Sequence, residues 1–154
     1  MTRVVIAAAL AVAIVLPHAA HAQSKTDFSG AWTWLAVSGS KAKTKTLSMK
    51  IAQSPAELRI ERVFEGAAPA RETVIYRLDG AESSNRIGDA TVRTKAAWKG
   101  GALILTSMVP TGGTPESATD VYRIVNGDLV IETTRQEASG RVTITKETFR
   151  KAQQ

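Results

Sequence analysis

Short segments in which apolar and polar residues alternate make up most of this chain beyond residue 27. Segment 46–53 (TLSMKIAQ) is the clearest, because Leu47, Met49 and Ile51 share one phase and mainly polar residues occupy the other. Side chains of a β-strand point alternately to its two faces, so this pattern predicts a strand with one buried face. Related patterns between turn residues predict further strands over 30–37, 57–64, 72–78, 91–98, 102–109, 120–125, 128–135 and 141–149.

Glycine-containing turns join neighbouring segments into hairpins. Asn126-Gly127 is the strongest signal, and Gly100-Gly101 is a second, because glycine readily adopts the positive φ that tight turns need. No segment has a convincing helical period. The pattern predicts an all-β fold, a single antiparallel up-and-down β-barrel of about eight to ten strands, because closure removes exposed strand edges. A two-sheet sandwich of the same strands is the alternative.

The first 22 residues have the composition of a secretory signal. Arg3 precedes an apolar run of 13 residues, 4–16, and Ala20-His21-Ala22 gives the small-x-small pattern that signal peptidase recognises. A membrane-spanning helix needs about 20 apolar residues, so the run is too short to span a bilayer. We expect residues 1–22 to be a signal peptide cleaved before Gln23. The domain would then be 23–154, not membrane-spanning, and either periplasmic or extracellular.

Composition removes several classes of chemistry from this domain. Both histidines, His18 and His21, lie in the leader, and the chain has no cysteine. The domain therefore lacks an imidazole base, a thiol nucleophile and soft metal ligands. Motifs for other nucleophiles, paired carboxylates or oxygen-ligated metals are missing as well. We expect no enzyme, no cofactor and no metal.

The domain has a net positive charge, but its basic residues are dispersed along the chain. Without Arg3, 19 Lys and Arg residues face 14 Asp and Glu residues, a net charge of +5. The basic residues are scattered singly, whereas a nucleic-acid-binding surface usually concentrates them. No nucleic-acid partner is expected.

Cationic residues in phase with apolar ones suggest a ligand-binding interior. Four cations lie in the same alternating phase as apolar residues of their segments: Arg62, Arg123, Arg135 and Lys146. Trp98 opens the central hairpin. If these side chains point inward, a mostly apolar cavity with a few cations would suit an amphipathic anion such as a fatty acid. The alternative is that the cations reach out to solvent and Trp98 fills the core.

A G-x-W motif opens the first predicted strand as Gly30-Ala31-Trp32. In this it resembles the lipocalin and fatty-acid-binding-protein superfamily, the calycins. The resemblance implies that Trp32 plugs one end of a barrel and that a basic residue of the last strand packs across its ring. Arg150 occupies the comparable place.

The chain is also similar to a group of uncharacterised secreted bacterial proteins with an FSGxW start. The matching stretches are FSGAW (28–32), TLSMKI (46–51), WKGGALILTS (98–107) and ETFRK (147–151). One departure from the fatty-acid-binding proteins stands out, because SGSKAK (38–43) is too short for their two portal helices. Any cavity would have to open differently.

These features lead to two functional hypotheses. The first is an exported lipocalin-like protein that binds a small hydrophobic or anionic amphipathic ligand in its barrel. The alternative is a barrel with a filled core, which acts as a protein–protein interaction module of the cell envelope without a small-molecule ligand.

Overall fold

The computed structural model describes residues 25–39, 46–64, 70–110 and 114–153, and these form ten antiparallel β-strands with no helix. The predicted leader lies outside them. The strands are β1 (Gly30–Gly39), β2 (Thr46–Gln53), β3 (Glu57–Phe64), β4 (Arg71–Arg77), β5 (Glu82–Ile87), β6 (Ala90–Lys99), β7 (Ala102–Val109), β8 (Glu116–Val125), β9 (Asp128–Gln136) and β10 (Val142–Lys151).

Strands that follow one another in sequence pair with each other, except β4 and β5, and β1 also pairs with β10. The sheet order runs from β4 through β1 and β10 to β5, so that β4 and β5 are its two edges. This arrangement is a nearly closed up-and-down barrel, and it confirms the predicted fold class. Within the described residues, no helix is long and apolar enough to cross a membrane.

Side chains rather than backbone pairs join the seam between β4 and β5. The Asn85 side chain accepts a hydrogen bond from Ile75 N at 2.7 Å and donates one to Ile75 O at 2.9 Å. The hydroxyl of Ser83 accepts a bond from Arg77 N at 2.7 Å. Both Asn85 and Ser83 are buried. They supply bonds to the edge of β4 that a neighbouring strand would otherwise make.

One end of the barrel is plugged by aromatic side chains. Phe28 is fully buried, stacks on Trp98 with ring centroids 5.9 Å apart, and accepts a hydrogen bond through its carbonyl from Trp32 Nε1 at 2.9 Å. Residues 25–29 are held across this end by Gln53, whose side chain bonds Phe28 N and Thr26 O. The plug forms the end wall of the core.

The G-x-W motif works through a contact that depends on the glycine. Gly30 has a φ of +139°, and a Cβ there would lie 2.8 Å from Cε of Lys151. The stem of Lys151 passes through this space and brings Nζ to 5.6 Å from the centre of the Trp32 ring, the distance of a cation–π contact. The prediction that Arg150 covers the Trp32 ring is wrong by one position, because the exposed guanidinium of Arg150 pairs with Asp128 at 3.1 Å. Strand alternation places neighbouring side chains on opposite faces.

The Asn126-Gly127 hairpin is confirmed. Both residues have positive φ, 53° and 86°, as a two-residue hairpin turn of this type requires, and they join β8 to β9. One strand, β5, was not expected, and β8 begins at Glu116 rather than residue 120.

Candidate ligand-binding cavity

A cavity of about 600 Å³ lies inside the barrel beyond the plugged core. Among the described residues, its lining comes from β2 to β10, whose inward side chains converge on the interior. The apolar part of the lining includes Phe64, Ile87, Val92, Val109, Ala118 and Ile131. The polar part includes Arg62, Glu72, Asp120, Tyr122, Arg135 and Glu147. The cavity therefore offers both an apolar surface and a charged one.

Arg62 is the central cation of the cavity, and it already has partners. Its Nη2 donates to the hydroxyl of Tyr122 at 2.9 Å, on the opposite wall, and its Nη1 lies 3.7 Å from Oε2 of Glu72. The Arg62 side chain is only 18% exposed. Burial alone would lower the pKa of Arg62, but Tyr122 and the neighbouring carboxylates raise it above its ordinary value. The guanidinium is therefore charged at neutral pH.

The wall formed by β8 to β10 carries two carboxylates. Asp120 accepts a hydrogen bond from Thr133 Oγ1 at 2.6 Å. Glu147 makes no hydrogen bond or ion pair with another described side chain; burial raises its pKa, Arg62 opposes that rise and Asp120 adds to it. Burial likewise raises the pKa of Tyr122, which remains a neutral phenol. This wall concentrates negative charge at the cavity surface.

The cations proposed from the sequence separate into two groups. Arg62 and Arg135 line the cavity, as expected. Arg123 and Lys146 are exposed and do not line it, so their expected inward orientation is wrong. On β8 the inward phase belongs to the buried Tyr122, and on β10 it belongs to the buried Phe149. Arg123 and Lys146 lie an odd number of positions from these residues, so both point outward.

Trp98 also lies away from the cavity. It is half-buried, stacks on Phe28 and has Lys25 Nζ 5.8 Å from its ring centre, all at the plugged end. The alternative reading of Trp98 as a core residue fits this position, whereas a ligand-lining role does not.

The sequence analysis did not identify the acidic residues of the cavity, Glu72, Asp120 and Glu147. Each shares an inward phase with a buried aromatic residue of its own strand: Tyr76, Tyr122 and Phe149 respectively. That shared phase is the signal that identifies them. Within the described residues no group of three or more acidic or other ligating side chains is arranged to hold a metal ion.

Comparison with known proteins identifies the fold. No protein-family model and no curated protein matches the chain. Among solved structures, zebrafish ileal bile-acid-binding protein complexed with cholic acid is 16% identical, with a TM-score of 0.58 over 81% of this chain and 98% of that one. Fatty-acid-binding protein 1 of Echinococcus granulosus is 10% identical, with a TM-score of 0.60 over 82% and 98%.

A third similar structure comes from a differently named protein. Secretory abundant heat soluble protein 4 of Ramazzottius varieornatus is 14% identical, with a TM-score of 0.61 over 81% of this chain and 94% of that one. At such identities the likeness shows a shared fold, an up-and-down β-barrel similar to those of these proteins. The resemblance to secreted bacterial proteins with an FSGxW start stays a prediction.

Proposed function

We propose that this chain is an exported, non-enzymatic barrel protein that binds one small hydrophobic or amphipathic molecule in its cavity. The observation that carries the proposal is the cavity of about 600 Å³ with a mixed apolar and charged lining. Small-molecule sites typically measure about 300–1,000 Å³ and combine apolar walls with a few polar groups. A cavity of this kind inside an eight- to ten-stranded barrel suits one ligand.

The solved structures support the same proposal. The zebrafish protein is named for binding bile acids and was solved with cholic acid, and the Echinococcus protein is named for binding fatty acids. Neither name denotes an enzyme. The lack of histidine and cysteine after residue 22 agrees with a binding rather than a catalytic role.

Filling the cavity is expected to abolish ligand binding. Ala118 is buried and lines the cavity from β8, so Ala118→Phe would place a ring in the space a ligand needs. We expect the affinity for Nile red, a neutral dye that fluoresces in apolar sites, to fall by at least about ten-fold. The measurement is a fluorescence titration, with circular dichroism to verify folding.

A neighbouring position provides the matched control. Thr119 lies on the same strand in the outward phase and does not line the cavity. Thr119→Phe should leave dye affinity unchanged. Unchanged binding in Ala118→Phe would place the dye elsewhere and contradict the proposed site.

Export is the second part of the proposal, and the leader supports it. In a bacterium with two membranes, the full chain should accumulate in the periplasm or medium with Gln23 as its first residue. Intact-mass measurement of fractionated protein tests this expectation. Uncleaved protein confined to the cytosol would contradict it.

The interaction module remains the second candidate because of one observation. Val142 and Ile144 are 55% and 53% exposed on the outer face of β10, where a partner protein would find apolar surface. This alternative assumed a filled core, and the cavity inside the barrel argues against that assumption. Failure to bind any small molecule, together with crosslinking to one envelope protein in cells, would favour it over ligand binding.

A further inference from the structure

The charge of the cavity determines which head group a ligand should carry. The described residues that line it include two cations, Arg62 and Arg135, and three carboxylates, Glu72, Asp120 and Glu147. With all of these ionised, the lining is net negative, although the protein as a whole is basic. A ligand inside the barrel experiences this local charge more strongly than the screened surface.

Arg62, the half-buried cation of the cavity, is poorly placed to receive an anion. Arg62 is already hydrogen-bonded to Tyr122 and lies 3.7 Å from Glu72. Arg62 has further N–H donors, but a carboxylate ligand that used them would approach Glu72 at close range. Like charges in a poorly solvated site repel strongly, so this approach is unfavourable. Arg135 is exposed and its charge is screened by solvent.

Among the described residues that line the cavity, the wall of β8 to β10 has one cation, the exposed Arg135 of β9, beside its two carboxylates. Asp120 has one hydrogen bond, from the neutral hydroxyl of Thr133, and Glu147 has no direct partner among the described side chains. Both project from strands that flank β9, and Ile131 of β9 pairs with Glu147. Asp120 and Glu147 are half-buried, and a partly desolvated carboxylate gains most from a charged hydrogen-bond donor.

We propose that the ligand is a cationic amphipath, whose protonated amine faces the wall of Asp120 and Glu147 and whose apolar part contacts Ile87, Val92 and Val109. This inference rests on the proposed ligand-binding function and specifies its ligand class. It replaces the anionic ligand expected from the sequence. That expectation depended on four inward cations, of which Arg123 and Lys146 lie outside the cavity.

Three probes with the same alkyl chain test the proposal: dodecylamine, dodecanol and dodecanoate. Each is titrated below its micellar concentration against the Nile red complex of the full protein at neutral pH. Dodecylamine should displace the dye at a concentration at least about ten-fold lower than dodecanoate, with dodecanol between them. Native mass spectrometry of the amine complex should give one bound molecule per chain.

Variants of the carboxylate wall connect the preference to its cause. Glu147→Gln and Asp120→Asn should each reduce the ratio of amine to carboxylate affinity by about ten-fold, because each removes one negative charge. The matched control is Glu132→Gln, since Glu132 points to the outer face of β9 beside Lys146. That variant should leave the ratio unchanged.

The outcomes separate this inference from the proposed function. If dodecanoate displaces the dye best, or if the ratio is unchanged in both wall variants, the cationic preference is wrong while ligand binding stands. If the protein binds neither Nile red nor any of the three probes, the proposed function itself fails.

Discussion

Replacement of Asn85 by leucine is expected to lower the free energy of unfolding by about 2–5 kcal/mol, because it leaves a backbone donor and acceptor unpaired. Leucine has the same number and branching of side-chain heavy atoms as asparagine, but its methyl groups cannot bond Ile75 N and Ile75 O. A buried polar group without a partner loses its hydration and gains nothing in return. Urea unfolding followed by tryptophan fluorescence measures the loss.

Variants of the two neighbouring serines test whether the loss of stability is specific to the seam between β4 and β5. Ser84 is exposed and points away from the interior, so Ser84→Ala should change stability by less than about 0.5 kcal/mol. Ser83→Ala removes the single bond to Arg77 N and should fall between the two. Hydrogen exchange should accelerate at the Ile75 amide in Asn85→Leu. A variant as stable as the wild type would mean that the seam does not need these side chains.

The same seam explains why one strand escapes prediction from the sequence. Alternation of apolar and polar residues predicts every described strand except β5, whose sequence is ESSNRI. The pattern detects burial of apolar groups, whereas two of the three inward positions of β5, Ser83 and Asn85, are polar. These polar side chains are buried because the edge of β4 lies beside them. That neighbour exists only once the barrel has nearly closed, so no local pattern records it.

The candidate site was predictable only where one strand face is clearly apolar. On β3, Leu58 and Ile60 are fully buried, and Arg62 follows them into the interior as its phase predicts. On β8 both phases contain apolar residues, Val121 in one and Tyr122 in the other, and alternation cannot choose between them. The larger aromatic side chain takes the interior, which turns Arg123 outward. Aromatic residues are therefore better guides to the inward phase of this barrel than β-branched ones.

Replacement of Trp32 by alanine is expected to have the largest effect on stability, a loss of about 3–5 kcal/mol. Trp32 is 3% exposed, its Nε1 donates to the Phe28 carbonyl at 2.9 Å, and its ring lies under Lys151. Alanine would leave a cavity at the plugged end, and the carbonyl of Phe28 would lose its hydrogen-bond donor. Urea unfolding gives the free energy, and near-ultraviolet circular dichroism reports the packing of the remaining aromatic rings. Trp32→Leu, which keeps more of the volume, should lose less.

Two double-mutant cycles then test which cation covers the ring. Lys151→Ala should couple to Trp32→Leu by about 0.5–1 kcal/mol, the size of an exposed cation–π contact, because either change removes the same interaction. Arg150→Ala should be additive with Trp32→Leu to within about 0.3–0.5 kcal/mol, because Arg150 pairs with Asp128 and points away from the ring. Coupling to Arg150 in place of Lys151 would contradict the register of β10 against β1, in which Trp32 pairs with Lys151. Since that register also sets which residues of β10 face the cavity, the same measurement tests the inward position of Glu147.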